Sequence, residues 1–230
     1  MKATSGLLLS LVFAVMRLRD TVKWHFLRRR YPKWATSFLT VHAVERLSER
    51  VGYPHAEGSH TPEFQAWTLS WLIESEQALL VTELLSHLGY AKERVDSEPG
   101  TGLWSKKSLH KLCAETEHQA GCDESLASCQ TPTVYLCQHA AFSGVMVTVV
   151  TNDGLCIERI QSESRWLAPM PMDAFPQLNP DEFGALQGEL AYWWEFFWRP
   201  FWISRTEEQR RALSKKLSQP WLDFIADRVV

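Results

Sequence analysis

The sequence predicts an α+β protein, mainly helical, with a small antiparallel β-hairpin or three-stranded sheet. Three observations carry that expectation. Apolar residues recur at three- and four-residue steps through most of the chain, the period of a helix face. Strand-forming residues concentrate at Val134 to Cys137 and Val145 to Thr151. Asn152-Asp153-Gly154 then separates the second run from Leu155 to Ile160, and these three residue types tolerate the positive φ of a hairpin turn.

Taken in order, Thr4 to Arg30 reads as one long helix. Leu8, Leu11, Val15, Leu18, Val22 and Phe26 form its apolar stripe, and Pro32 ends it. A second helix is expected from Thr40, a credible N-cap, to Val51, with Gly52 as its stop. After a polar loop, Glu63 to Gly89 reads as a strong helical block that is apolar on much of its circumference. Residues 91–107 look irregular, with turn chemistry from Asp96 to Gly102. Ser108 to Ala120 reads as a further helix and 121–132 as a loop. Beyond the β signals, Pro169, Pro171, Pro176 and Pro180 make 167–181 an extended connection. Helices are expected again over Asp181 to Trp198, Thr206 to Leu217 and Trp221 to Val229, the second opening on acidic residues that suit the helix dipole.

A length of 230 residues fits one large domain or two small ones. The boundary falls at the prolines. Residues 1–166 form a helical N-terminal domain with the small sheet. Residues 167–230 form the Pro-rich connection and a Trp-rich helical region, and the two can pack as one domain. Ordinary proportions of apolar (45%) and charged (22%) residues argue against general disorder.

The net charge of −3 is unevenly spread. Residues 1–34 carry eight basic side chains against Asp20 alone, a charge of +7, while the remaining 196 residues carry −10. Arg17, Arg19, Lys23, Arg28, Arg29 and Arg30 thus form a candidate polyanion-binding arm. The competing reading is that the arm docks on its own acidic body. An odd count of five cysteines and the lack of a convincing secretory signal favour a reducing, cytoplasmic setting. The apolar run Ala3 to Met16 is short for a membrane span, and the basic flanks of the aromatic stretch Ala191 to Trp202 are modest, so a membrane surface ranks below a protein or nucleic acid as partner.

Chemistry-bearing constellations are partial. His110, Cys113, His118 and Cys122 have donor types that zinc accepts, but no Cys-x-x-Cys pair occurs, and no metal is assigned. Cys137 and His139 share a strand face without an orienting third group. No cofactor is called for by any motif. On the helix expected from Thr40, His42, Arg46 and Glu49 or Arg50 stand three or four residues apart and share a face. A His, an Arg and a Glu so placed could hold a phosphodiester and move its protons.

The string Thr40-Val-His42-Ala-Val-Glu45-Arg46-Leu-Ser-Glu49-Arg50 resembles the opening helix of small bacterial and phage proteins that include ribonuclease toxins. In those proteins a His-Ala-x-x-Arg helix precedes a β-hairpin that ends in a Val-rich strand. The run Gly144-Val-Met-Val-Thr-Val-Val-Thr-Asn-Asp is similar to that strand. The resemblance implies metal-independent RNA cleavage or nucleic-acid binding centred on His42, Arg46, Glu49 and Arg50.

The other outlier is aromatic. The chain has eleven tryptophans, and Ala191 to Trp202 holds eight aromatic residues in twelve positions. Such a helix serves a tight core or an interface with another protein. The leading reading is therefore a non-enzymatic interaction or adaptor protein. It acts through the basic N-terminal helix and through Trp193, Trp194, Trp198 and Trp202 of the aromatic helix. The alternative is the nucleic-acid-binding protein or ribonuclease of the His42 helix.

Overall fold

The computed structural model describes Lys23, Arg29 and residues 32–40, 47–93, 100–106, 131–182 and 186–229. Six strands form one antiparallel sheet: β1 (Ala56–Gly58), β2 (Trp67–Ile73), β3 (Tyr90–Lys92), β4 (Thr101–Lys106), β5 (Thr133–Ala141) and β6 (Gly144–Thr151), in the order β1-β2-β6-β5-β4-β3. This corrects the expected fold class. The sheet is twice the size of a three-stranded one, and the protein is not mainly helical.

Three local misreadings account for the difference. In β2 the apolar residues Trp67, Leu69, Trp71 and Ile73 alternate with Thr68 and Ser70, so the period is two and the segment pairs with β6 from Trp67↔Thr151 to Ile73↔Val145. Only the rest of the expected block is helical, as α1 (Ala78–His87), whose Val81 and Leu85 are buried one turn apart. Second, the stretch read as irregular supplies β3 and β4. Leu103 and Trp104 are buried there, and β4 lies between β3 and β5.

Third, Asn152-Asp153-Gly154 is a helix start. Asp153 is the N-cap of α2 (Gly154–Ser162) and its side chain accepts from Leu155 N. Cys156, Ile157 and Ile160 are the buried residues of α2, a three- and four-residue spacing that no strand would show. The β5–β6 hairpin turns instead at Phe142-Ser143, both at positive φ, between the paired Ala141 and Gly144. Neither residue favours that conformation. Tertiary contacts hold it: the Phe142 ring lies 5.8 Å from Phe175 and 6.0 Å from Phe197, and Ser143 Oγ donates to Asp173 O at 2.5 Å.

The helix expected over Thr40 to Val51 is also corrected where it is described. Leu47 to Glu49 have no regular structure, and Arg50 makes an antiparallel bridge with Ala56. Arg50 N donates to Ala56 O at 2.9 Å, which ties this stretch alongside β1. Of the first expected helix only Lys23 and Arg29 are described, both helical; the remainder, and the helix at Ser108 to Ala120, lie outside the described residues.

The C-terminal part is helical as expected but with shifted bounds: the helix expected over Asp181 to Trp198 begins at Gly188 and runs on through Pro200 to Ser204. The aromatic helix runs as α3 (Gly188–Trp193), a π-helical turn (Trp194–Trp198) and α4 (Arg199–Ser204). Next come α5 (Glu207–Ser214), opened by a Thr206–Gln209 capping box, and α6 (Gln219–Ala226). One face of the sheet, the six helices above and a short helix, Pro171–Ala174, inside the stretch expected to be an extended connection share a single apolar cluster among the described residues. It includes Leu69, Trp71, Val147, Val149 and Leu136 from strands, with Val81, Ile157, Trp193, Trp198, Leu213 and Trp221 from helices. Gln77 ties the proline-rich connection down, donating to Arg165 O and accepting from Leu167 N. On the other sheet face, Phe38, Ala66 and Val150 make a smaller cluster, where Trp34 stacks on Tyr135 at 4.0 Å.

Candidate functional site

The aromatic helix is divided lengthwise. Its inner side is buried almost completely: Trp193, Trp194, Phe197, Trp198, Phe201 and Trp202 are all core residues. The π turn makes this side continuous. In a regular α-helix residues i and i+5 point about 140° apart. A π turn takes up more residues, which brings such a pair onto one side. Trp193 and Trp198 accordingly stack at 5.4 Å, and Trp198 continues the stack onto Trp202 at 6.1 Å. The widened turn sits directly before Pro200, which has no N–H for the Phe196 carbonyl and whose ring would press on it in an α turn.

The outer side is apolar too. Tyr192 is 46% exposed, Phe196 62% and Ile203 53%. They lie four and seven residues apart, with Glu195 and Arg199 beside them in an i,i+4 ion pair of 3.1 Å. The half-buried Phe142 of the hairpin tip adjoins this strip, 6.4 Å from the Tyr192 ring. Lone exposed apolar side chains are ordinary, but three large ones exposed along one helix are less so.

A second cluster looks more like chemistry. Where β3, β4 and the cap of α2 meet, Asp153 Oδ2 accepts from Tyr90 Oη at 2.6 Å and from Lys106 Nζ at 2.7 Å. Asp153 Oδ1 accepts from Leu155 N at 2.9 Å, and the Lys106 ammonium lies 4.8 Å from the Tyr90 ring centroid. Burial works against the Asp153 carboxylate, yet the bonds from Lys106 and Tyr90 outweigh it and hold its pKa below the usual value. Burial raises the Tyr90 phenol well above its usual range, aided by neighbouring Cys156 and Asp153. Burial likewise pushes the Cys156 thiol up to about 12, with Asp153 adding to the shift. At neutral pH this leaves a charged carboxylate holding three donors, a neutral phenol and a neutral thiol. The bonds join β3, β4 and the cap of α2.

The residues singled out from sequence are distributed as follows. His42 and Arg46 lie outside the described residues. Glu49 and Arg50 reach different elements: Glu49 pairs with His55 at 3.5 Å, whereas Arg50 donates to Glu158 on α2 at 3.1 Å and lies 4.8 Å from the Trp67 ring centroid. They therefore share no helical face. Of the basic arm, Lys23 pairs with Glu63 at 3.9 Å; Arg17, Arg19, Arg28 and Arg30 are outside the described residues, and Arg29 is exposed. Trp193, Trp194, Trp198 and Trp202 are brought together, inside this chain's own core. Among the described residues, no group of three or more His, Cys, Asp or Glu side chains is placed to hold a metal.

Sequence reasoning missed the outward row. Its signal was present in the spacing of Tyr192, Phe196 and Ile203, but eight aromatics in one stretch hid which side faced out. It also missed Arg205, a buried guanidinium 5.3 Å from the Tyr53 ring centroid and 4.8 Å from that of Phe201.

Fold and site together define a class: an α+β protein with a helical layer on an antiparallel sheet and an aromatic helix that shows an apolar strip. No protein-family model, no curated protein and no solved structure matches the chain. Among the described residues no helix is long and apolar enough to cross a membrane.

Proposed function

We propose that this is a non-enzymatic interaction or adaptor protein, and that its partner is another protein docking on the aromatic helix. The observation that carries this reading is the exposed row Tyr192–Phe196–Ile203 on a helix whose opposite side is locked in the core. A rigid helix presenting large apolar side chains is a recurrent recognition device, because little conformational freedom is lost on binding. In this reading the four tryptophans act from beneath: they hold the row straight and fix its pitch.

The test is a tagged pull-down at moderate salt from native cells, with protein and nucleic acid both quantified, for the wild type and Phe196→Glu. A stoichiometric protein captured by the wild type and lost from the variant is the expected result. Equal capture by both, or recovery of nucleic acid that leaves as salt rises, would overturn it. The second outcome would turn attention to the basic arm and His42.

A further inference from the structure

We infer that the protein docking on this strip is a second copy of the same chain, packed helix against helix about a two-fold axis. The inference rests on the interaction reading above. What points to a second copy is that the strip is complementary to itself. In an antiparallel two-fold pair, residues equidistant from the axis face one another across the interface. The midpoint between Tyr192 and Ile203 and the midpoint between Glu195 and Arg199 coincide at about Phe197, to within half a residue. One axis therefore sets Tyr192 against Ile203 of the other copy at both ends. The same axis sets Glu195 against the other copy's Arg199 twice, and brings the two Phe196 rings to the centre. Apolar ends, an aromatic centre and opposite charges all fall in register under one operation.

The charges are accessible for this: the Glu195 side chain is 49% exposed and that of Arg199 42%. Within one chain they already pair across a single helical turn at 3.1 Å. Stable interfaces bury roughly 800 Å² per partner. Phe142, half-buried at the hairpin tip beside Tyr192, widens the strip beyond the helix.

Charge reversal tests the geometry. Light scattering after size exclusion is expected to give the wild type twice the chain mass of 26.5 kDa. Glu195→Arg places two positive charges against each other at both ends of the pair, and Arg199→Glu places two negative ones. Each variant alone is expected to be monomeric, its self-association weakened roughly tenfold or more. Mixed in equal amounts they regain opposite charges at both ends and return to twice the chain mass. If Arg199→Glu does not fold, Phe196→Glu and Phe196→Lys form an equivalent pair at the exposed centre, monomeric apart and dimeric when mixed. A monomeric wild type, or variant mixtures that stay monomeric, overturns the second-copy inference. A monomeric wild type whose captured protein is lost with Phe196→Glu overturns the dimer and leaves the interaction reading standing. Absence of both overturns both.

Discussion

The Asp153 joint and the aromatic helix are opposite in composition and in what they leave unused. At Asp153 the polar groups meet one another within the chain: the carboxylate accepts from Tyr90, Lys106 and Leu155 N. Along the aromatic helix the inner side is spent on the core, while Tyr192, Phe196 and Ile203 remain in water. The lesson is that residue types that look chemical do not by themselves mark a site. A cluster of Lys, Asp, Tyr and Cys is inert when its members satisfy one another. A row of plain apolar side chains is the more informative feature when it is left exposed.

Breaking the buried side should have the largest effect. Trp198→Ala removes a ring that is fully buried and stacked on two others. It should lower unfolding stability by about 3–5 kcal/mol in urea titration. A loss under about 1 kcal/mol would mean that the stack is loosely packed.

Breaking the polar joint comes next. Asp153→Ala removes a helix cap and leaves Tyr90 and Lys106 without their acceptor. The expected loss is about 2–3 kcal/mol, with the ion pair itself discounted because Lys106 is part-exposed. Its pH dependence has a definite sign. The folded carboxyl lies below its usual value, so its contribution is fully present above the unfolded pKa of about 3.9. It is lost as pH falls from there through the depressed folded value. The stability gap between wild type and Asp153→Ala should thus stay constant from neutral pH to about 4 and narrow below it. A gap that changes between pH 5 and 7 would assign the joint's energy to another group.

The smallest effect on stability should come from the outer side. Measured at a dilution where the wild type is monomeric, Phe196→Ser should leave unfolding within about 0.5 kcal/mol of wild type, because the ring is exposed in the single chain. It should nonetheless abolish association through the strip. Destabilisation comparable to that of Trp198→Ala would erase the distinction between the two sides.

Much of the helical C-terminal part was legible in the sequence: Thr206 opens α5 with its side chain on Gln209 N, whereas Pro200 lies inside the aromatic helix it was expected to end and Pro220 sits in the first turn of α6. The β5 and β6 strands were legible from their Val-rich runs. The rest of the sheet was not. Trp67 to Ile73 carries apolar residues at both two- and four-residue steps, so the pattern alone does not choose between strand and helix. Pairing with β6 along its whole length chooses. The Asn-Asp-Gly signal predicts a hairpin turn but is a helix start, since an Asp oxygen serves either use until a following N–H is placed beside it.

By itself, then, the sequence determined the aromatic density, the charge asymmetry, the helix start at the Thr206 cap, and the two central strands. These depend on residues within a turn or two of one another. The tertiary structure alone decided that the sheet has six strands, that the hairpin turns at Phe142-Ser143, that Arg50 pairs with Glu158, and which side of the aromatic helix meets water. Each of those depends on contacts between segments far apart in the chain. The physical reason is that a side chain's burial is set by what packs on it, and local periodicity names a face without naming its neighbour.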